Sequence, residues 1–281
     1  MSFVRTDPLA LKQRLKTAGL AARKNLGQHF LIDTGVLDSI VTAAGILPGS
    51  TVVEIGPGPG ALTERLLPLA ERLVIFELDP GMAALLQVDF QEIEIQIGNI
   101  LEIAPEVLKN VGEYQVVANL PYNITNPVLR LFLEAQTLPR PTSLVLMLQK
   151  EVAERLAAGP GKHGRGYLSV LTQYFADVEY VRTVPAACFW PAPNVVSAVV
   201  RLDCLDQRLL SADQEADFLR FVRRMFIQPR KQLKNVLAGI LGIETAAAEE
   251  HLLRLSFSGM VRAQELSVAD WVSLYLNKGA L

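Results

Sequence analysis

Val52-Val53-Glu54-Ile55-Gly56-Pro57-Gly58-Pro59-Gly60 is the stretch on which the fold turns. Its first four residues fit a short strand covered on both faces. Three glycines in the next five positions let the backbone turn sharply and come close to a ligand. A helical pattern over Ala61–Leu69 follows, and a helix behind such a turn offers its free N–H groups to whatever sits there. Outward from this point, short apolar runs keep alternating with helical patterns. Leu73–Leu78 and Ile93–Ile97 predict two more strands with a helix at Gly81–Val88 between them. Tyr114–Asn119 predicts a fourth strand, 126–136 a helix opened by Asn126-Pro127, and Ser143–Leu148 a fifth strand leading into a helix over Lys150–Ala158. This alternation predicts a parallel, doubly wound sheet, an α/β fold of Rossmann-like class. Two further strands are expected at Val178–Val184 and Val196–Leu202, and past Asp203 only helical patterns remain, at 212–226, 229–240, 245–255 and 267–277. The expected organisation is a large α/β domain over 1–207, whose residues 1–35 form an N-terminal segment contacting cofactor and RNA, and a small all-helical RNA-binding domain over 208–281.

The chain has 281 residues, more than one typical domain of roughly 100–200. Hydrophobic residues make up 50% and charged residues 20%, so a substantial core is available and disorder is excluded. Net charge is −2, so any nucleic-acid binding must rest on local positive charge. Such charge occurs twice. Residues 219–238 hold Arg220, Arg223, Arg224, Arg230, Lys231 and Lys234 without an acid, and the first 30 residues hold Arg5, Lys12, Arg14, Lys16, Arg23 and Lys24 against Asp7. The two cysteines, Cys188 and Cys204, have no metal-ligand spacing and fit reduced thiols of a cytoplasmic protein; no metal is expected. The N-terminus lacks a long apolar core, and the uncharged run 183–200 is broken by Pro185, Pro191 and Pro193, so neither a signal peptide nor a membrane helix is expected.

Glu77 ends the second strand, 21 positions after Gly56, where an acid can accept hydrogen bonds from a ribose. Gly56-x-Gly58-x-x-Ala61 also fits a dinucleotide fingerprint, so the turn predicts an adenosine cofactor and by itself leaves NAD and S-adenosylmethionine open. The close spacing Gly58-Pro59-Gly60 and Glu54 ahead of it fit the methyltransferase version better. Asn99, at the end of the third strand, is placed to meet an adenine edge.

Asn119-Leu120-Pro121-Tyr122 ends the fourth strand and separates the chemistries. The exocyclic nitrogen of adenine is a poor nucleophile because its lone pair is delocalised into the ring. Two acceptors, Asn119 Oδ1 and the Leu120 carbonyl, can hold both N6 hydrogens and steer the nitrogen towards tetrahedral geometry. Catalysis is then orientation and electrostatics, without a strong base. Pro121 stiffens the turn, and Tyr122 offers a ring on which an unpaired base stacks.

Together with these motifs the chain resembles the ribosomal RNA adenine N6-dimethyltransferase family, over roughly residues 20–275. Lys24-Asn25-Leu26-Gly27-Gln28-His29-Phe30-Leu31 is similar to its N-terminal cofactor motif, which implies that Gln28, His29 and Leu31 approach the cofactor. The resemblance further implies S-adenosylmethionine held by Gly56, Gly58, Gly60, Glu77, Asn99 and Asn119, and catalysis by Asn119–Tyr122. Phe189-x-Pro191-x-Pro193 is similar to a later family loop whose Phe covers the other face of the target adenine. Phe226–Lys231 with Leu233 and Asn235 resembles a basic RNA-contacting stretch, which implicates Arg223, Arg224, Arg230, Lys231 and Lys234. The chain departs from the family at Asn99, usually Asp, at Asn194 and Val196, usually Lys and an acid, and at Pro229, usually Arg.

Gly27–Leu31 and the basic stretch are more similar to the members that act on the small subunit. That implies dimethylation of two adjacent adenines in a hairpin loop near the 3′ end of small-subunit (16S) rRNA, with an immature small ribosomal subunit as partner of a monomeric enzyme. Three other readings stand beside it: a large-subunit rRNA methyltransferase of the antibiotic-resistance type, a non-catalytic ribosome-assembly factor, and a nucleotide-dependent oxidoreductase.

Overall fold

A computed structural model describes residues 4–23, 26–134 and 137–280. Lys24 and Asn25, which open the N-terminal motif, and residues 135–136 of the helix expected over 126–136 lie outside the described residues. The chain forms two compact units, one of residues up to 153 together with 178–204, the other of 154–177 together with 205–281.

Among the described residues the first unit holds nine strands: β1 (Phe30–Leu31), β2 (Thr51–Ile55), β3 (Arg72–Glu77), β4 (Glu94–Ile97), β5 (Gln115–Asn119), β6 (Ser143–Gln149), β7 (Ala176–Val184, which begins in the second unit), β8 (Phe189–Trp190) and β9 (Ser197–Cys204). Seven form one sheet in the order β4-β3-β2-β5-β6-β9-β7, and β1 pairs with β8 in a separate two-stranded ladder. From β4 to β6 all neighbours are parallel, as expected. The later strand β9, for which the sequence reading gives no direction, runs antiparallel to β6 with Leu146 opposite Val200. No crossover helix separates β7 from β9, and only a crossover of a dozen or more residues, usually helical, returns a strand parallel.

Among the described residues, helices α1 to α6 of this unit flank the strands. α1 (Pro8–Thr17) is capped by Asp7, whose carboxylate accepts from Leu9 N and Ala10 N, and buries Leu11 and Leu15 against Phe30, Met82 and Leu85. α2 (Thr34–Ala44) starts at the Asp33 cap and ends at Gly45 in the left-handed region. α3 (Thr63–Leu66) is shorter than the helix expected over 61–69 because Gly60–Leu62 are spent in turns. α4 (Pro80–Asp89), α5 (Ile100–Leu108) and α6 (Thr125–Leu133) follow β3, β4 and β5.

α7 (Lys150–Ala157) leads into the second unit, which contains α8 (Tyr167–Phe175), α9 (Ala212–Met225), α10 (Leu233–Leu241), α11 (Thr245–Arg254) and α12 (Val268–Leu276). The division expected at residue 207 thus differs in the segment 154–177, which belongs to the helical unit. Arg165 explains part of this. Its buried guanidinium donates from Nη1 to the Ala158 carbonyl at 2.6 Å and from Nη2 to the Leu266 carbonyl at 3.1 Å, stitching the segment to the C-terminal helices. Phe218, Val222, Leu252, Trp271 and Leu274 fill the core, each fully buried.

His251 is also buried there, and its Nε2 has no hydrogen-bond partner among the described residues. Burial first, then Arg254, holds its pKa below the ordinary imidazole range. The folded chain therefore keeps a neutral ring that the unfolded chain protonates, and stability present above the histidine range is lost as pH falls through it. The Tm of the wild type should drop more between about pH 7.5 and about pH 5.5 than that of His251→Leu. Equal slopes would contradict a neutral buried ring.

Candidate active site

The strand order reverses between β2 and β5, because β3 and β4 continue to one side and β6 to the other. In open α/β sheets the crevice outside the carboxyl ends of the strands at such a point is where ligands bind. A cavity lies there, walled by residues 26–31, the turn after β2, the ends of β3 and β4, and the segment 119–124 after β5. Gln28, His29, Leu31, Gly56, Gly58, Glu77, Asn99, Asn119, Leu120, Pro121 and Tyr122 all line it. Gly60, expected with them, is not among the residues that line it.

The turn after β2 has Gly56, Gly58 and Gly60 at φ 64°, 55° and 87°, which side-chain-bearing residues rarely adopt. Space is short as well. A Cβ on Gly58 would stand 2.9 Å from the Phe30 ring, and one on Gly60 2.7 Å from Phe90 Cε2. Glu77, at the end of β3, is 5% exposed and turns its carboxylate towards the turn, accepting from Gly58 N at 3.3 Å and Asp79 N at 2.8 Å. Burial pushes its carboxyl above the ordinary range. Glu54 lies within β2, 1% exposed, with Thr63 Oγ1 donating to its Oε2 at 2.7 Å. Burial, and secondarily the charge of Glu77, pushes it up to about 8. Asn99 caps α5 through Oδ1, which accepts from Leu101 N, while its amide donates to Glu102 at 2.8 Å. A carbonyl oxygen has a second lone pair, so capping leaves Asn99 one acceptor site.

Across the cavity, Asn119 Nδ2 donates to the His29 carbonyl at 3.1 Å. That bond uses the amide's nitrogen end and leaves Oδ1 as an acceptor on a cavity wall. Leu120 is buried, and its backbone N–H is taken by the Met147 carbonyl at 3.2 Å. The Tyr122 hydroxyl shares a 2.7 Å hydrogen bond with Ser197 Oγ, and burial raises its pKa, so the phenol stays neutral. The His29 ring lies 6.3 Å from the Tyr122 ring at 20° to it, with Nδ1 2.7 Å from the Pro191 carbonyl. Nδ1 must be the protonated nitrogen of that pair, since a carbonyl only accepts. Gln28 turns its side-chain carbonyl back to Arg23 N at 2.8 Å.

Phe189 does not join these residues. It is 3% exposed and absent from the cavity walls, because β8 pairs it with Leu31 and its ring enters the core with Leu37 and Val184. The expected ring over a bound base is here a core side chain. The basic residues Arg223, Arg224, Arg230, Lys231 and Lys234 lie in the second unit. Arg223, Arg230 and Lys231 are exposed and form no ion pair among the described residues, whereas Lys234 is neutralised by Glu249 at 2.7 Å. Arg5, counted with the N-terminal basic cluster, is buried and lines the cavity. Arg5 is expected only as part of the N-terminal positive charge and Glu54 only as part of the glycine motif; their burial beside the cavity is not legible, because a lone cation and a strand acid carry no local signal of it. Among the described residues no helix is long and apolar enough to cross a membrane, and no group of three or more His, Cys, Asp or Glu residues could hold a metal ion.

The family model described as ribosomal RNA adenine dimethylase matches residues 19–278. A ribosomal RNA small subunit methyltransferase A from Dehalococcoides mccartyi is 39% identical over 269 residues, covering 94% of this chain and 91% of its own. One of the same name from Syntrophotalea carbinolica is 40% identical, covering 90% and 95%. Among solved structures, a dimethyladenosine transferase from Plasmodium falciparum superposes with a TM-score of 0.74 at 25% identity, over 89% of this chain and 98% of that one. The 23S rRNA methyltransferase ErmE gives 0.70 at 24% over 89% and 99%, a likeness of fold.

The raised carboxyl of Glu54 has a measurable consequence. Between the ordinary carboxylate range and about 8, folded Glu54 holds a proton that the unfolded chain has lost, so its stabilising contribution is full in acid and is lost as pH rises through about 8. Relative to Glu54→Gln, the wild-type Tm should therefore fall as pH rises from about 5 to about 8.5. A constant difference across that range would contradict a protonated Glu54.

Proposed function

The chain belongs to the ribosomal RNA adenine dimethylase family, and we propose that it uses S-adenosylmethionine to dimethylate N6 of two adjacent adenines in a hairpin loop near the 3′ end of small-subunit rRNA. The observation that carries this reading is the Asn119 amide, held by the His29 carbonyl so that Oδ1 remains an acceptor on the wall of the cavity formed by the glycine turn. The choice of the small subunit rests on the relatives at 39% and 40% identity that carry that activity in their names and match the chain over nearly all its length.

The residues present fit the cofactor. Gly58 and Gly60 keep the turn clear where a Cβ would strike Phe30 or Phe90, and Glu77 offers a buried carboxylate at the end of β3 for the ribose hydroxyls. Gln28, His29 and Leu31 would flank its methionine end, and Asn99 its adenine. S-adenosylmethionine supplies, when bound, a methyl group activated on a sulfonium.

The chain's own part is orientation. Asn119 Oδ1 and the Leu120 carbonyl accept the two N6 hydrogens of the adenine, drawing its lone pair out of the ring and aiming it. Tyr122 provides the stacking surface, fixed in place by Ser197. Holding two reactants in line is worth several orders of magnitude in effective concentration, of order 10⁵ M or more. The proton leaves only after the nitrogen has become cationic, so no strong base is required. Phe189 has no part in this reading, because its ring is in the core.

Arg223, Arg230 and Lys231 would contact RNA phosphates, with Arg224 and Lys234 contributing less, since Arg224 also donates to the Ile240 carbonyl and Lys234 is paired with Glu249. The partner is an immature small ribosomal subunit, met by a monomer in the cytoplasm.

Asn119→Ala should lower turnover by about 10²–10³-fold while the Kd for S-adenosylmethionine stays nearly unchanged, because the lost acceptor acts on the adenine. Wild-type turnover by the variant would sink the assigned role. Reversing Arg230 and Lys231 to Glu should weaken RNA binding and reduce the slope of log K against log salt by about 2. An unchanged slope would leave these cations as a solvated face.

A further inference from the structure

Arg5 lies far from the turn in sequence and touches it in space. Its Nε donates to the Pro59 carbonyl at 3.1 Å, between Gly58 and Gly60. Its Nη1 meets Glu64 Oε1 of α3 at 2.9 Å, and its Nη2 meets Asp89 Oδ2 at the end of α4, also at 2.9 Å. The guanidinium lies over the Phe90 ring, 4.5 Å from its centroid, and Phe90 is the side chain that a Cβ on Gly60 would strike. One planar group thus engages the turn and the two helices beside it, and it is only 7% exposed. Arg14 pairs with the other oxygen of Asp89, and α1 buries Leu11 and Leu15 against Met82 and Leu85 of α4. The N-terminal segment is therefore seated on the elements that frame the turn.

We infer that Arg5 is a positioning residue for the cofactor turn, and that the segment from Arg5 to the end of α1 is a clamp whose seating and cofactor occupancy reinforce each other. The inference rests on S-adenosylmethionine being the ligand of the cavity. Three glycines at positive φ leave the turn many conformations when nothing holds them, and a site that is competent only part of the time binds with an affinity reduced by that fraction. Arg5 removes that freedom from outside, by fixing the Pro59 carbonyl and the ring behind Gly60. Its fork geometry matters, because a lysine cannot donate in three directions from one plane. The clamp also reassigns charge: the cation belongs to cofactor binding and contributes nothing to RNA.

Linkage makes the coupling reciprocal, so it has a test in the unaltered protein. Hydrogen exchange of the wild type is followed with and without S-adenosylhomocysteine. Amides of α1, none of which lines the cavity, should exchange more slowly when the ligand is bound. Calorimetric titration with S-adenosylmethionine should give a Kd about tenfold weaker for Arg5→Ala, partial recovery for Arg5→Lys, and the wild-type value for Lys12→Ala, an exposed cation of the same segment. RNA affinity and its salt slope should be the same for wild type and Arg5→Ala. Unchanged α1 exchange on ligand binding would overturn the clamp, as would a wild-type Kd in Arg5→Ala or a loss confined to RNA affinity. A wild type that binds neither S-adenosyl compound would instead overturn the reading of the cavity itself.

Discussion

Parallel pairing of β2 with β5, from Val52 opposite Gln115 to Ile55 opposite Ala118, is the constraint from which the rest of the site follows. Two adjacent parallel strands end at the same edge of a sheet. Their following turns, Gly56–Gly60 and Asn119–Tyr122, must then face one crevice, although some 60 residues separate them in the chain. The order reverses at this pair, so the crevice is left open between helices that pack on opposite faces. Binding and reaction geometry are consequences of strand order before any side chain is considered.

Side chains then fix what the strands bring together. The amide of Asn119 could present either end to the cavity, and the His29 carbonyl takes the nitrogen end. The same residue 29 has its ring held by the Pro191 carbonyl, on the loop after β8. The β1–β8 ladder is only two residues long on each side, yet it sets the backbone from which both bonds are made. Charge in the cavity is managed by burial. Burial pushes the Glu54 carboxyl up to about 8 and raises that of Glu77 as well, while Glu77 faces the turn with its carboxylate directed by two backbone N–H groups.

The features legible in the sequence are those whose cause is local. A glycine turn after an apolar strand, a Pro-stiffened turn after another and an acid at a strand end each follow from a few neighbouring residues, and the structure brings all three to one cavity. Asp7, Asp33 and Gly45 are equally local signals, since they cap α1 and α2. What stayed hidden depends on distant partners. The burial of Phe189 comes from pairing with Leu31, and the roles of Arg5 come from Glu64 and Asp89, 59 and 84 positions away. The antiparallel direction of β9 follows from the missing helix after β7, and the allocation of 154–177 to the helical unit from a buried arginine and its carbonyl partners.

The most direct measurement uses S-adenosylmethionine with a labelled methyl group, added with the protein to small ribosomal subunits lacking this modification and, in parallel, to undermethylated large subunits. A cavity that pairs the glycine turn with Asn119 and Tyr122, in a chain of this family, should put the label in two adjacent N6-dimethyladenines of the small subunit and none in the large. Label confined to a large-subunit adenine, or no label in either subunit while the cofactor still binds, would contradict it.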